Sequence, residues 1–119
     1  MSKRIELTSE ENVTVVTFKD HRLVDEIIIH ELSAELAQVV SSREHANVLF
    51  NFEEVSFLST MVLGQLTIIK KAARVAKTNI KLCSIQPFIY EVFLLVSFDK
   101  LFDIYPTKDA AMRAFRGEH

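Results

Sequence analysis

After an N-terminal hairpin, strand-like and helix-like runs alternate along this chain to its end, and that alternation is what most restricts the folds open to it. Residues 4–7 and 13–18 are β-branched and partly alternating, with polar Ser9, Glu10, Glu11 and Asn12 between them, which predicts the two strands of the hairpin. Over 25–42, Ile28, Ile29, Leu32, Leu36, Val39 and Val40 recur at helical spacing behind Asp25 and Glu26, anions suited to a helix N-terminus. Residues 47–52 form a short apolar run of the kind a buried strand shows. A second helix is expected from near Thr60, where Val62, Leu66, Ile69, Ala73 and Ala76 form one stripe and Lys70, Lys71, Arg74 and Lys77 its wet side. Residues 80–85 read as a strand, and Pro87 as the first position of a third helix with Ile89, Val92, Phe93 and Val96 on one face. A last strand over 101–105 stops at Pro106, and Thr107 caps a final helix carrying Ala110, Ala111, Ala114 and Phe115. The order β-β-α-β-α-β-α-β-α predicts an α/β domain with a mixed sheet and about four helices, its later strands parallel and joined by helical crossovers.

Ile28, Leu32, Leu36, Leu49, Phe50, Leu66, Ile69, Leu82, Val92 and Phe93 satisfy one of the two periodicities and are the expected core. Asn47, Asn51, Lys81 and Ser84 are polar strand residues, so the helices are expected to favour one face of the sheet.

Composition narrows the function. The 119 residues fit one domain spanning 1–119 and bury roughly two-thirds of the unfolded surface, enough for a core without metal or disulfide support. Cys83 is the only cysteine, with no zinc-ligand spacing around it, which fits a reducing compartment and excludes the common metal fingers. Met1, Ser2, Lys3 and Arg4 run into Glu6 without an apolar signal core, and no window resembles a membrane span, so a cytoplasmic protein is expected. A net charge of -2 lacks the basic footprint of a nucleic-acid binder. Gly64 and Gly117 are the only glycines, too few for either phosphate-cradling loop, and no cofactor is implied.

Catalytic constellations are missing as well. His21, His30, His45 and His119 fall in or near expected loops or wet helix faces, and His30 beside Glu31 reads as solvated. The pairs Glu10-Glu11, Asp25-Glu26 and Glu53-Glu54 are sequence neighbours, which suits turns and first helical turns better than an acid/base dyad across a cleft. Cys83 reads as a small core residue. The chain is therefore expected to be non-catalytic.

One junction stands apart. In Val55-Ser56-Phe57-Leu58-Ser59-Thr60-Met61-Val62-Leu63-Gly64 a buried strand leads into a helix, with two hydroxyls at the helix start. Ser59 as N-cap would accept orphan amide bonds, worth about 0.5–2 kcal/mol, and local physics favours that role. An exposed hydroxyl at a helix N-terminus is also a place where amides and dipole tolerate an added phosphate.

The element order, the run Asn51-Phe52-Glu53-Glu54-Val55-Ser56-Phe57-Leu58-Ser59-Thr60, the following Leu63-Gly64, and the later Lys81-Leu82-Cys83 and Asp99-Lys100-Leu101-Phe102 segments together resemble a STAS domain of the bacterial anti-sigma factor antagonists. In that family the junction commonly reads Asp-Ser-Ser/Ala-Gly before Leu-Gly, and its first Ser or Thr is phosphorylated by a kinase that doubles as an anti-sigma factor. Aligned on Leu63-Gly64, the aspartate falls on Ser59, the phosphoacceptor on Thr60 and the glycine on Val62, where the larger side chain is expected to crowd the kinase-facing surface. The resemblance implies a phosphoprotein in transcription regulation by partner switching. It would bind a serine/threonine kinase or anti-sigma factor through Phe57, Leu58, Ser59, Thr60, Met61, Val62, Leu63 and Leu66. Phosphorylation would fall at Thr60, with Ser59 as second candidate, a PP2C-type phosphatase would reverse it, and self-association into a homo-oligomer is compatible. The alternative is a constitutive, unphosphorylated STAS scaffold in a larger regulatory or transporter complex.

Overall fold

A computed structural model of the chain describes residues 4–42, 44 and 46–118. Strands β1 (Ile5–Glu10) and β2 (Val13–Phe18) form the hairpin. Its turn is only Glu11 and Asn12, both at positive φ (48° and 67°), the backbone of a two-residue turn whose twist matches the strands. Ser9 and Glu10, expected in the turn, therefore belong to β1. The chain continues through β3 (Arg22–Leu23), α1 (Glu26–Ser41), β4 (Asn47–Asn51), β5 (Phe57–Leu58) and α2 (Thr60–Ala76). It ends with β6 (Asn79–Cys83), α3 (Pro87–Leu95), α4 (Phe98–Leu101), β7 (Asp103–Tyr105) and α5 (Lys108–Phe115).

The main sheet has the order β1-β2-β4-β6-β7, with β1 antiparallel to β2 and every other pairing parallel. This is the α/β mixed sheet expected from the alternation, with five helices among the described residues rather than about four. The extra one, α4, is a single turn carved from the run expected as the start of the last strand. Leu101 is its final residue, and β7 keeps only 103–105. Strand β6 ends at Cys83 because Ser84 turns to φ 60°.

Successive strand residues face opposite ways, so each strand feeds two cores. Val16, Phe18, Val48, Phe50, Ile80 and Leu82 meet α1, α2, α3 and α4 on one face, where an edge-to-face chain of rings runs Phe52, Phe93, Phe98. Val13, Val15, Leu49 and Cys83 meet Ala111 and Met112 of α5 on the other. Helices thus favour one face, and α5 covers only part of the second. Lys81 sits under α5, bonded to Asp103 Oδ2 at 3.2 Å with its ammonium over the Tyr105 and Phe115 rings, while Glu6, Thr8, Thr17 and Glu53 border an open polar hollow.

Eight of the ten expected core residues are buried; Ile28 and Val92 are only half-buried. In α1 the inward phase runs through Ile29, and in α3 it runs through Ile89 and Phe93, with Val96 exposed just beyond the helix. Ala76 is likewise exposed at the end of α2.

Candidate functional site

The junction is built by two dipeptide strands that no periodicity could have marked. Strand β3 pairs in parallel with β5, Arg22 against Phe57 and Leu23 against Leu58. The Phe57 amide donates to the His21 carbonyl at 3.2 Å and the Ser59 amide to the Leu23 carbonyl at 2.9 Å. The Ser56 amide and hydroxyl both donate to the His21 carbonyl, at 2.8 and 3.0 Å. His21 Nδ1 donates to the Glu54 carbonyl at 2.8 Å, so this histidine braces the loop. Because β3 leads into α1 and β5 into α2, the pairing sets two helix N-termini side by side, and the helices then pack on each other, with Ser33 Oγ donating to Gln65 Oε1 at 2.6 Å.

The two N-termini are finished differently. Asp25 caps α1, its Oδ1 accepting from the amides of Ile27 and Ile28 at 2.9 and 3.1 Å. Ser59 occupies the N-cap of α2 with extended backbone, but its side chain makes no capping hydrogen bond. The expected capping role of Ser59 is corrected accordingly: the amides of the first turn of α2 are left to solvent or to a ligand. Thr60 is the first helical residue and is exposed; Ser59 is half-buried.

The expected partner surface divides. Phe57 and Thr60 are exposed, and Leu58 and Met61 are half-buried. Val62, Leu63 and Leu66 are in the main core, at 4%, 8% and 2% exposure, and offer nothing to a partner. Val62 does not crowd the surface either, since its side chain points inward among Phe18, Leu23, Ile29, Phe52 and Leu66. The α2 stripe through Val62, Leu66 and Ile69 decides this, because a residue on the buried face of a helix cannot also serve its wet face. Sequence reasoning missed the residues that β3 brings in. Val24 and Ile27 are exposed next to the junction, and the Arg22 guanidinium lies 5.0 Å from the centre of the Phe57 ring. Their one signal was apolar character off the buried stripe at the start of α1.

The remaining candidates are dispersed. His30 is exposed, 3.9 Å from Glu26 Oε1, while His45 and His119 lie outside the described residues, as do Met1, Ser2 and Lys3. Glu10 pairs with Lys108 and Glu11 with Arg116, and Glu53 and Glu54 are exposed in a turn. Burial pushes the Cys83 thiol up to about 11. Among the described residues no group of His, Cys, Asp or Glu is arranged to hold a metal ion, and no helix is long and apolar enough to cross a membrane.

Known proteins share this arrangement. A sequence profile of the STAS domain matches residues 4–111. BtrV of Bordetella bronchiseptica, named as a candidate anti-sigma factor antagonist, is 28% identical over 86 residues, 72% of this chain and 73% of BtrV. An anti-sigma-factor antagonist (STAS) domain protein of Planctomyces limnophilus superposes with a TM-score of 0.80 at 26% identity, covering 92% of this chain and 95% of that one. The phosphorylated form of the Bacillus cell fate determinant SpoIIAA superposes at 0.66 with 15% identity over 92% and 98% of the two chains. The murine anion transporter Slc26a9 contains the same fold, at 0.72 and 17% identity over 93% of this chain and 19% of the transporter.

Proposed function

The chain belongs to the STAS domain family, and on that premise we propose that it is a non-catalytic anti-sigma factor antagonist switched by phosphorylation at Thr60. It binds a serine/threonine kinase or anti-sigma factor, and a PP2C-type phosphatase restores binding. The observation that carries this reading is an exposed Thr60 at the first turn of a helix whose N-terminus no side chain caps. A phosphate there adds a charge of about -1.5 to -2 beside unspent amides and the positive end of the helix dipole, which the fold accepts. The effect must therefore fall on the interface. Its contact surface is Phe57, Leu58, Ser59, Thr60 and Met61 with Val24 and Ile27 from the neighbouring N-terminus, an apolar patch that would lose several kcal/mol of binding if it had to bury the dianion without a cation. Support comes from the naming of BtrV and of the Planctomyces protein as antagonists, and from the existence of a phosphorylated form of SpoIIAA.

The second reading, a constitutive scaffold, is favoured by the occurrence of this fold within a transporter. Intact-mass measurement and phosphopeptide mapping on protein purified from its own host separate the two. The switch requires one phosphate on Thr60 in part of the population. Protein that carries no phosphate there, in cells where the pathway is active, supports the scaffold.

A further inference from the structure

We propose that the outer edge of β1 is a self-association surface, on which a second copy of this chain pairs antiparallel with Leu7 opposite Leu7. This rests on the sheet topology and not on the reading of Thr60. β1 is an edge strand of six residues, paired with β2 at six consecutive positions and so free of bulges. Neither proline nor lysine lies within it, whereas the opposite edge, β7, has three residues and runs straight into Pro106. Natural edges are usually blunted by such devices, and an unblunted one is a template for another strand.

The hydrogen-bond phase fixes which groups are offered. In an antiparallel pair alternate residues exchange both bonds. The Lys19 amide donates to the Arg4 carbonyl at 2.9 Å, so the backbone groups of Glu6, Thr8 and Glu10 face β2 and those of Leu7 and Ser9 face outward. Leu7 lies opposite Val16, a residue of the main core, yet its side chain is 46% exposed. A second Leu7 across a two-fold axis would cover it.

Charge then selects the register. With Leu7 opposite Leu7, Glu6 faces Thr8 of the second copy and Glu10 faces its Arg4. Moving the pairing two residues one way sets Glu6 against Glu6, and two residues the other way sets Glu6 against Glu10. Like charges directly opposite are destabilising, so of these registers only the first both uses the whole strand and avoids acid against acid.

Sedimentation equilibrium on the full chain tests this. The wild type is expected to dimerise reversibly. Thr8 is exposed on the open face, and in this register it meets Glu6 of the second copy twice per dimer. Thr8→Lys should therefore tighten the dimer and Thr8→Glu weaken it, each by about 2- to 30-fold. Leu7→Pro removes only an outward amide and should give a folded monomer by circular dichroism. A wild type that stays monomeric towards millimolar concentration overturns the proposal. So does a dimer whose constant the two Thr8 variants leave unchanged, shift in the same direction, or shift in the reverse order. The Thr8 pair decides the matter even where Leu7→Pro fails to fold.

Discussion

Replacing Val62 by the smaller residues that suit its aligned position tests whether this side chain belongs to the core or to the docking surface. Val62 is 4% exposed and bounds a void of about 10 Å³ shared with Phe18, Leu23, Ile29, Phe52 and Leu66. That void is apolar and too small to hold water comfortably, so truncation enlarges a dry cavity. Val62→Ala removes two methyl groups at about 0.8 kcal/mol each. The enlarged cavity raises the loss to about 2–3 kcal/mol, and the better helix propensity of alanine returns about 0.5 kcal/mol. A net loss of about 2 kcal/mol follows, and Val62→Gly should lose about 1 kcal/mol more. With an unfolding entropy of about 2.1 cal/mol/K per residue, these correspond to falls in Tm of about 8 and 12 °C. Urea denaturation with unchanged m-value is the assay. A Val62→Ala protein within about 0.5 kcal/mol of wild type, the range of an ordinary surface change, would refute the burial argument and return Val62 to the surface.

Gly64 is an exposed glycine inside α2 where an added Cβ meets nothing within 4 Å; Gly64→Ala should stabilise the chain by about 0.5–1 kcal/mol in the same assay. The two helix caps should answer differently: Asp25→Ala should lose about 0.5–2 kcal/mol because two amides lose their acceptor, and Ser59→Ala should change stability little. Burial raises the Cys83 thiol from 9.0 to about 11, so the folded chain keeps a proton that the unfolded chain releases. That contribution is full below pH 9 and is lost as pH rises towards about 11, and urea midpoints across this window should fall more steeply for wild type than for Cys83→Ala.

What was legible in the sequence was whatever repeated. The stripes of α1 and α2 and the alternation of the hairpin strands span several turns or pleats, and each was placed within a few residues. The tandem Ile28-Ile29 shows the limit of that signal, since either isoleucine continues the series through Leu32 and Leu36, and only packing against the sheet selects Ile29. Strands β3 and β5 and the single turn α4 have no period to detect, because two residues or one turn cannot repeat. The site depends on β3 and β5. Ser59 and Thr60 were visible as hydroxyls before a helix, but the uncapped N-terminus and the contribution of Val24 and Ile27 follow from a pairing made by residues more than thirty positions apart. The α2 stripe already contained Val62 and Leu66, and it outweighed the expectation that both face a partner.

The central claim is that charge at Thr60 acts on binding and not on folding. Partner affinity and thermal stability should be measured together for wild type, Thr60→Asp and Thr60→Ala, before and after treatment with kinase and ATP. A carboxylate at the first turn of α2 is worth only about 0.3–1 kcal/mol and is favourable there, so the Tm of Thr60→Asp should barely move. Its binding should weaken by several kcal/mol, more than a hundredfold. Thr60→Ala should bind as wild type does and resist release by kinase and ATP. Tight binding by Thr60→Asp, with no phosphate on Ser59 or Thr60 after kinase treatment, would contradict the switch.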